Sequence, residues 1–250
     1  ATLGLFYLAY TAVSYLDIAA NQTLAGQLNL HSNGEPGQPG QLNISGDGGY
    51  TGDIELSGGK LNAVDDLTLD GTVSITADSE IKVTDTLTLS QAGGFALGAN
   101  KLTLSGGGSL SSEVITLDNT NSKLHLNGIT LNKAVTSANS LGVDVDTNSA
   151  VTDLEIGHTT PVSIAQGVTL SGGVEVTAGS IKLNETGTLA STVAMSGGTL
   201  DADKTATVSG ALRHTADITI DVANTKTLTY SGTAIGLGAH TITLTGGGNF

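Results

Sequence analysis

The chain has 250 residues, of which 23 are acidic and 9 basic, so its formal net charge is −14. A surface of this charge repels nucleic acid and anionic membranes, which argues against both as partners. The absence of cysteine excludes disulfides and thiolate metal sites. Because aromatic residues make up only 3% and glycine is frequent, we expect a narrow core of stacked aliphatic layers joined by tight turns.

Residues 3–20 are the most apolar part of the chain. Apolar residues recur there at helical spacing, namely Leu5, Leu8, Ala12, Tyr15, Leu16 and Ala19. This spacing predicts a short amphipathic capping helix, although the alternation at its start also fits a strand. We expect residues 1–20 to act as a cap or assembly segment, because an exposed strand edge otherwise pairs with other chains. The tail of a cleaved signal is the alternative, and Asp17 makes the apolar run too short for a membrane span.

We expect residues 21–250 to form a β-solenoid. From Leu28 onward, triplets of an apolar residue, any residue and another apolar residue recur along the sequence. Strong triplets recur about every 13 residues with weaker ones midway, so the basic step is a strand plus a turn of about 6–7 residues. Three steps make a coil of about 20 residues, which is typical of a parallel β-helix. In the triplet at residues 67–69 the period of two sends both leucines inward and Thr68 outward.

A longer repeat lies on top of the coils. Residues 86–110 return, slightly altered, as residues 227–250, and residues 56–61 return as residues 195–200. The offset of about 140 residues holds from about position 54 to position 250 and corresponds to about seven coils. The sequence therefore predicts that a whole module is duplicated, with a first copy starting near residue 54 and a second near residue 193.

Residues 44–63 resemble the passenger-associated repeat of bacterial autotransporters. The matching positions are Ser45, Gly46, Tyr50, Thr51, Gly52, Gly59 and Leu61. Residues 167–184 look like a degenerate copy, and similar repeats occur in filamentous haemagglutinin-like proteins. The resemblance implies an all-β, right-handed parallel β-helix exported to the surface of a Gram-negative cell. Such passengers serve as adhesins, biofilm factors or stalks.

One acidic string has the spacing of a calcium-binding loop. Oxygen-bearing side chains stand at its positions 1, 3, 5, 9 and 12, as Asp144, Asp146, Asn148, Thr152 and Glu155. Ser149 replaces the glycine usual at position 6, and the flanks are not helical, so a solvated turn is the alternative. Calcium is the one cofactor that the sequence suggests.

Other residues with chemical potential form no recognisable motif. Asp65 and Asp66, with Asp70, Asp78 and Asp85, would suit a polysaccharide-cleaving cleft, but Arg213 is the one arginine available to assist them. The five histidines stand singly at spacings that fit no metal motif. Threonines at many triplet centres would suit an ice-binding ladder, although an exposed strand position also favours threonine.

We therefore expect a non-catalytic, secreted rod on a bacterial cell surface, with a structural or adhesive role. Its expected partners are glycans or proteins of host or neighbouring cells, bound at several points along the rod. The alternative is a filament or sheath subunit that polymerises end to end with copies of itself. A polysaccharide-cleaving enzyme and an ice-binding solenoid are further alternatives.

Overall fold

The structure is a computed structural model that describes residues 2–8, 13–17, 23–31, 40–45, 49–90, 95–112, 114–137, 140–184, 186–233 and 235–250. These residues form strands and turns, and none of them lies in a helix. The strands of the first half are β1 (Thr2–Leu8), β2 (Val13–Asp17), β3 (Thr23–His31), β4 (Gln41–Ser45), β5 (Gly49–Tyr50), β6 (Ile54–Ser57), β7 (Lys60–Ala63), β8 (Leu67–Leu69), β9 (Val73–Ala77), β10 (Ser79–Val83), β11 (Thr86–Leu89), β12 (Phe95–Ala96), β13 (Lys101–Ser105), β14 (Ser109–Ser111) and β15 (Ile115–Leu117).

The strands of the second half continue the same pattern. They are β16 (Lys123–Asn127), β17 (Thr130–Ser137), β18 (Gly142–Thr147), β19 (Ser149–Ile156), β20 (Thr160–Ile164), β21 (Thr169–Val176), β22 (Ser180–Leu183), β23 (Thr188–Leu189), β24 (Thr192–Met195), β25 (Thr199–Ala202), β26 (Ala206–Val208), β27 (Leu212–His214), β28 (Ile218–Val222), β29 (Leu228–Tyr230) and β30 (Ile242–Gly246).

The strands stack in three parallel rows, and most coils contribute one strand to each row. Row one is a twelve-stranded sheet of β2, β4, β7, β10, β13, β16, β18, β20, β22, β25, β28 and β30. Row two runs through β5, β8, β11 and β14 to β23, β26 and β29, and row three through β6, β9, β12 and β15 to β24 and β27. The long strands β17, β19 and β21 span rows two and three within single coils.

The coil length agrees with the sequence period. In row one Leu42 lies opposite Leu61, and Leu61 lies opposite Ile81, so successive coils are about 20 residues apart. About 10 such turns stack on one another. The prediction of an all-β parallel solenoid is therefore confirmed.

Aliphatic side chains fill the space between the three rows. In row one, Leu61, Ile81, Leu104, Leu126 and Val145 follow one another at paired positions, and all five are fully buried. The alternation of a strand places these residues inward and their neighbours outward. Burying each such side chain stabilises the folded state by about 1.5–3 kcal/mol relative to leaving it exposed. The ladder therefore holds each coil to the next.

Backbones of successive coils approach closely at glycines that the two module copies share. A Cβ on Gly71 would lie 1.8 Å from the carbonyl oxygen of Gly52, and a Cβ on Gly210 would lie 1.8 Å from the carbonyl oxygen of Ser191. Any other residue would force the coils apart at these positions. The equal distances show that the duplicated sequence builds the same turn twice.

The helix predicted near the N-terminus is wrong for the residues that the structure describes. Strands β1 and β2 occupy this segment, and they pair in parallel with β3 and β4 of the next coil. The sequence carries both a helical spacing and an alternation of Leu3, Leu5 and Tyr7 that fits a strand. The open edge of the next coil decides between them, because its unpaired backbone groups can form hydrogen bonds with a strand but not with a helix. The division of the chain at residue 20 and the capping role stay predictions.

Candidate functional site

Two of the predicted calcium ligands lie on β18 and face the coil before it. Asp144 Oδ2 lies 2.7 Å from Lys123 Nζ and 3.1 Å from His125 Nε2. Asp146 Oδ2 lies 3.5 Å from His125 Nδ1. The shallow cleft beside them, of about 410 Å³, is also lined by Ser163 and Gln166. These carboxylates thus have cationic or imidazole neighbours from the protein itself.

The other three predicted ligands lie elsewhere. Asn148 Oδ1 accepts a hydrogen bond of 2.9 Å from the Thr169 amide, and Thr152 Oγ1 donates one of 3.0 Å to the Leu131 carbonyl. Glu155 belongs to row three. A calcium loop wraps its ligands round one point, whereas β18 and β19 are extended and carry theirs onto different rows. Within the described ranges, no three His, Cys, Asp or Glu side chains are grouped to hold a metal ion, and calcium stays a prediction.

Glu155 lines a cleft on the outer surface of row three. Pairing places Thr136, Glu155 and Glu175 opposite one another in successive coils. The cleft has a volume of about 470 Å³, and Ser137, Gly157, His158 and Thr177 complete its lining. Two carboxylates one strand spacing apart, with hydroxyls beside them, can accept hydrogen bonds from a polar ligand.

Threonines form an uninterrupted line on the outside of row two. Thr169, Thr188, Thr207 and Thr229 occupy paired positions in four successive coils. Towards the N-terminus the line ends at Thr169, because Ser149 pairs with Leu170 and the register therefore places Asn148, not a threonine, beside Thr169. An outward hydroxyl thus repeats at the strand spacing of about 4.8 Å over this part of the rod.

Charges of opposite sign pair between adjacent coils at several places on the outside of row one. Lys60 Nζ lies 2.9 Å from Glu80 Oε1, and Lys182 Nζ lies 2.9 Å from Asp203 Oδ2 and 3.4 Å from Asp201 Oδ2. The hydrogen bond that Lys182 donates to Asp203 raises the pKa of Lys182. Partial burial, followed by the charge of Asp203, raises the pKa of Asp201. These pairs neutralise part of the acidic surface on this side of the rod.

The acids proposed for a polysaccharide cleft lie in turns at different corners. Asp65 and Asp66 lie between β7 and β8, Asp85 lies between β10 and β11, and Asp70 follows β8. Asp78 lies between β9 and β10, where its Oδ1 accepts a 2.7 Å hydrogen bond from the Lys101 amide. The structure therefore distributes these five acids over more than one side of the rod.

The structure brings two histidines together that the sequence reasoning treated as isolated. The rings of His214 and His240 have centroids 6.1 Å apart at a corner of the last coils. In the sequence, only the comparison of the two module copies points to this pair. Aligned on the offset of about 140 residues, His214 corresponds to Ile75 and His240 corresponds to Asn100. His158 lies at the cleft of row three, and His125 lies between Asp144 and Asp146.

Comparison with family models, curated proteins and solved structures found nothing that matches this chain. Among the described residues, no helix has the length and apolar character that a membrane-spanning segment requires.

Proposed function

We propose that the chain is the rod of a secreted, surface-exposed protein and acts there as a structural and adhesive element, as passengers of autotransporters do. The observation that carries this proposal is the repetition of outward polar groups in register along one axis. The threonine line of row two, Thr169, Thr188, Thr207 and Thr229, presents the same group in four successive coils.

A rod with repeated surface groups is suited to multivalent binding, in which many weak contacts act together. About 10 turns at a strand spacing of about 4.8 Å give a length of roughly 50 Å. Each hydroxyl contributes little to binding, but groups fixed on one rigid surface engage an extended partner together, and their effects multiply. Extended glycans or glycoproteins on a neighbouring cell are partners with the required repetition and hydrogen-bonding groups.

The test is an adhesion assay with matched variants. Purified chain on beads is expected to attach to glycan-bearing cells, and Thr188→Lys with Thr207→Lys should reduce attachment at least about tenfold by placing two long charged side chains on the threonine line. The control is Thr103→Lys with Thr219→Lys, outward positions of row one, which should attach as the original chain does. Equal attachment by both variants, or none by the unaltered chain, would contradict adhesion through this line.

Exposure at the cell surface needs its own measurement. Antibody against the chain should label intact cells of the producing organism, and labelling only after permeabilisation would overturn the surface assignment. Cleavage of acidic polysaccharide by the purified chain would overturn the non-catalytic assignment. In electron micrographs we expect separate rods, and filaments would favour the polymer instead.

A further inference from the structure

His214 occupies a position that other coils give to the core. In row three, paired inward positions run through Leu117, Ser137, Ile156, Val176, Met195 and His214. Ser137, the other polar member of this line, has hydrogen-bond partners, since its Oγ lies 3.0 Å from Ser140 Oγ and accepts a 2.8 Å bond from Thr160 Oγ1. His214 therefore places an imidazole where an aliphatic side chain would extend the core.

The contacts of His214 define which ring nitrogen carries its proton. Nδ1 lies 3.1 Å from the carbonyl oxygen of Ala216, which can only accept, so Nδ1 must be the donor. Nε2 is buried and makes no hydrogen bond with any residue that the structure describes. In the neutral ring Nε2 thus carries a lone pair, and an N–H group held by a backbone carbonyl is the usual support of a metal-binding histidine.

A second imidazole stands opposite. The His240 ring lies with its centroid 6.1 Å from that of His214 and is inclined to it by 69°. Zinc–nitrogen bonds of about 2.0–2.1 Å place the centroids of two imidazole ligands about 5–6 Å apart, so a small rotation of the exposed His240 side chain is sufficient. Asp217 Oδ1 lies 3.9 Å from His240 Nδ1 and accepts a 2.7 Å hydrogen bond from the Thr241 amide, which ties down the turn that carries His240.

The first copy of the module shows that this corner needs neither histidine to fold. There Ile75 is buried in the core, and Asn100 Nδ2 donates a 3.0 Å hydrogen bond to the Ile75 carbonyl. Both members of this contacting pair are replaced by histidine in the second copy. The turn beneath them is the same in both, since Asp78 accepts from Lys101 as Asp217 accepts from Thr241.

We propose that His214 and His240 bind a divalent transition-metal ion of the zinc class, with Asp217 orienting His240. Two imidazoles favour Zn²⁺, Ni²⁺ or Cu²⁺ over Ca²⁺ or Mg²⁺, which prefer oxygen ligands. Water completes the coordination, because His240 faces solvent. The site is separate from the carboxylates considered for calcium and is independent of the adhesive function.

The test uses zinc chloride and the complete chain in isothermal titration calorimetry. We expect the unaltered chain to bind zinc, and His214→Ile with His240→Asn to bind it at least about tenfold more weakly. This double variant restores the residues of the first copy, so it should fold, which circular dichroism and thermal melting will check. His158→Ala, which removes an exposed histidine elsewhere, should bind zinc as the unaltered chain does.

A spectroscopic readout separates ligation from a change in folding. Adding zinc should shift the Nε2 resonances of His214 and His240 in ¹⁵N spectra and leave that of His158 in place. Asp217→Asn, which retains the acceptor for Thr241, should weaken zinc binding by up to about tenfold. Zinc binding unchanged in the double variant, or no binding to the unaltered chain, would overturn the proposal.

Discussion

The two copies of the module build the same corner with different side chains. Around Ile75 and Asn100 the corner is aliphatic inside and held by an amide-to-carbonyl hydrogen bond. Around His214 and His240 two imidazoles meet edge to face. The turn hydrogen bond beneath each corner has the same length, 2.7 Å, in both copies. The coil backbone is thus specified by a few turn contacts and inward residues, which leaves the other positions able to change their chemistry without a change of fold.

The largest predicted difference between the copies concerns a leucine of row one. Leu104 is fully buried beneath the next coil, while its counterpart Leu244, on β30, is 58% exposed. Leu104→Ala should lower the free energy of unfolding by about 3 kcal/mol, because it leaves a cavity within the ladder. In a chain of these 250 residues, Leu244→Ala should change it by less than about 0.5 kcal/mol, because the side chain is exposed there. Urea denaturation followed by circular dichroism measures both.

One outcome would contradict this prediction. If Leu104→Ala and Leu244→Ala lower the free energy of unfolding by the same amount, burial by a following coil is not what stabilises this ladder. Leu126→Ala, in the next coil after Leu104, is the internal control, because Leu126 is also fully buried and should behave as Leu104 does.

A smaller difference concerns Tyr50, which stands where the second copy has Leu189. Burial, assisted by the charge of Asp53, raises the pKa of Tyr50 to about 12, against about 10 for an exposed tyrosine. The folded state therefore holds the phenolic proton more tightly than the unfolded state. The contribution to stability is complete below pH 10 and is lost as the pH rises from 10 to 12.

The measurement compares the chain with Tyr50→Phe and Tyr50→Leu, the second introducing the residue of the second copy. Between pH 9 and pH 11.5 the free energy of unfolding of the unaltered chain should fall by about 2 kcal/mol more than that of either variant, since only the unaltered chain has this phenol. Other lysines and tyrosines titrate in all three proteins and cancel in the difference. Parallel losses in all three would show that Tyr50 ionises as freely in the folded chain as in the unfolded one.

Sequence reasoning succeeded where one local rule acts. The alternation in the triplet of Leu67, Thr68 and Leu69 decides which side chains lie inward, and β8 shows the expected burial. It failed in the segment of β1, where helical and alternating patterns coexist and only pairing with β3 decides between them. It also missed the histidine pair, because which residues meet at a corner depends on the register between coils, and the turns differ in length from coil to coil.

The smallest predicted effect tests whether the shared turn is equivalent in the two copies. Asp78→Ala removes the acceptor of the Lys101 amide, and Asp217→Ala removes the acceptor of the Thr241 amide. Each variant should lower the free energy of unfolding by about 1 kcal/mol. Amide hydrogen exchange resolves this locally: Asp78→Ala should accelerate exchange at Lys101 alone, and Asp217→Ala at Thr241 alone. If both variants accelerate exchange equally, the two aspartates share a structural role in the turn. If zinc binding is also weaker, and only in Asp217→Ala, then Asp217 has an additional role in orienting His240. Equal exchange effects with unchanged zinc binding would leave Asp217 a turn residue and nothing more.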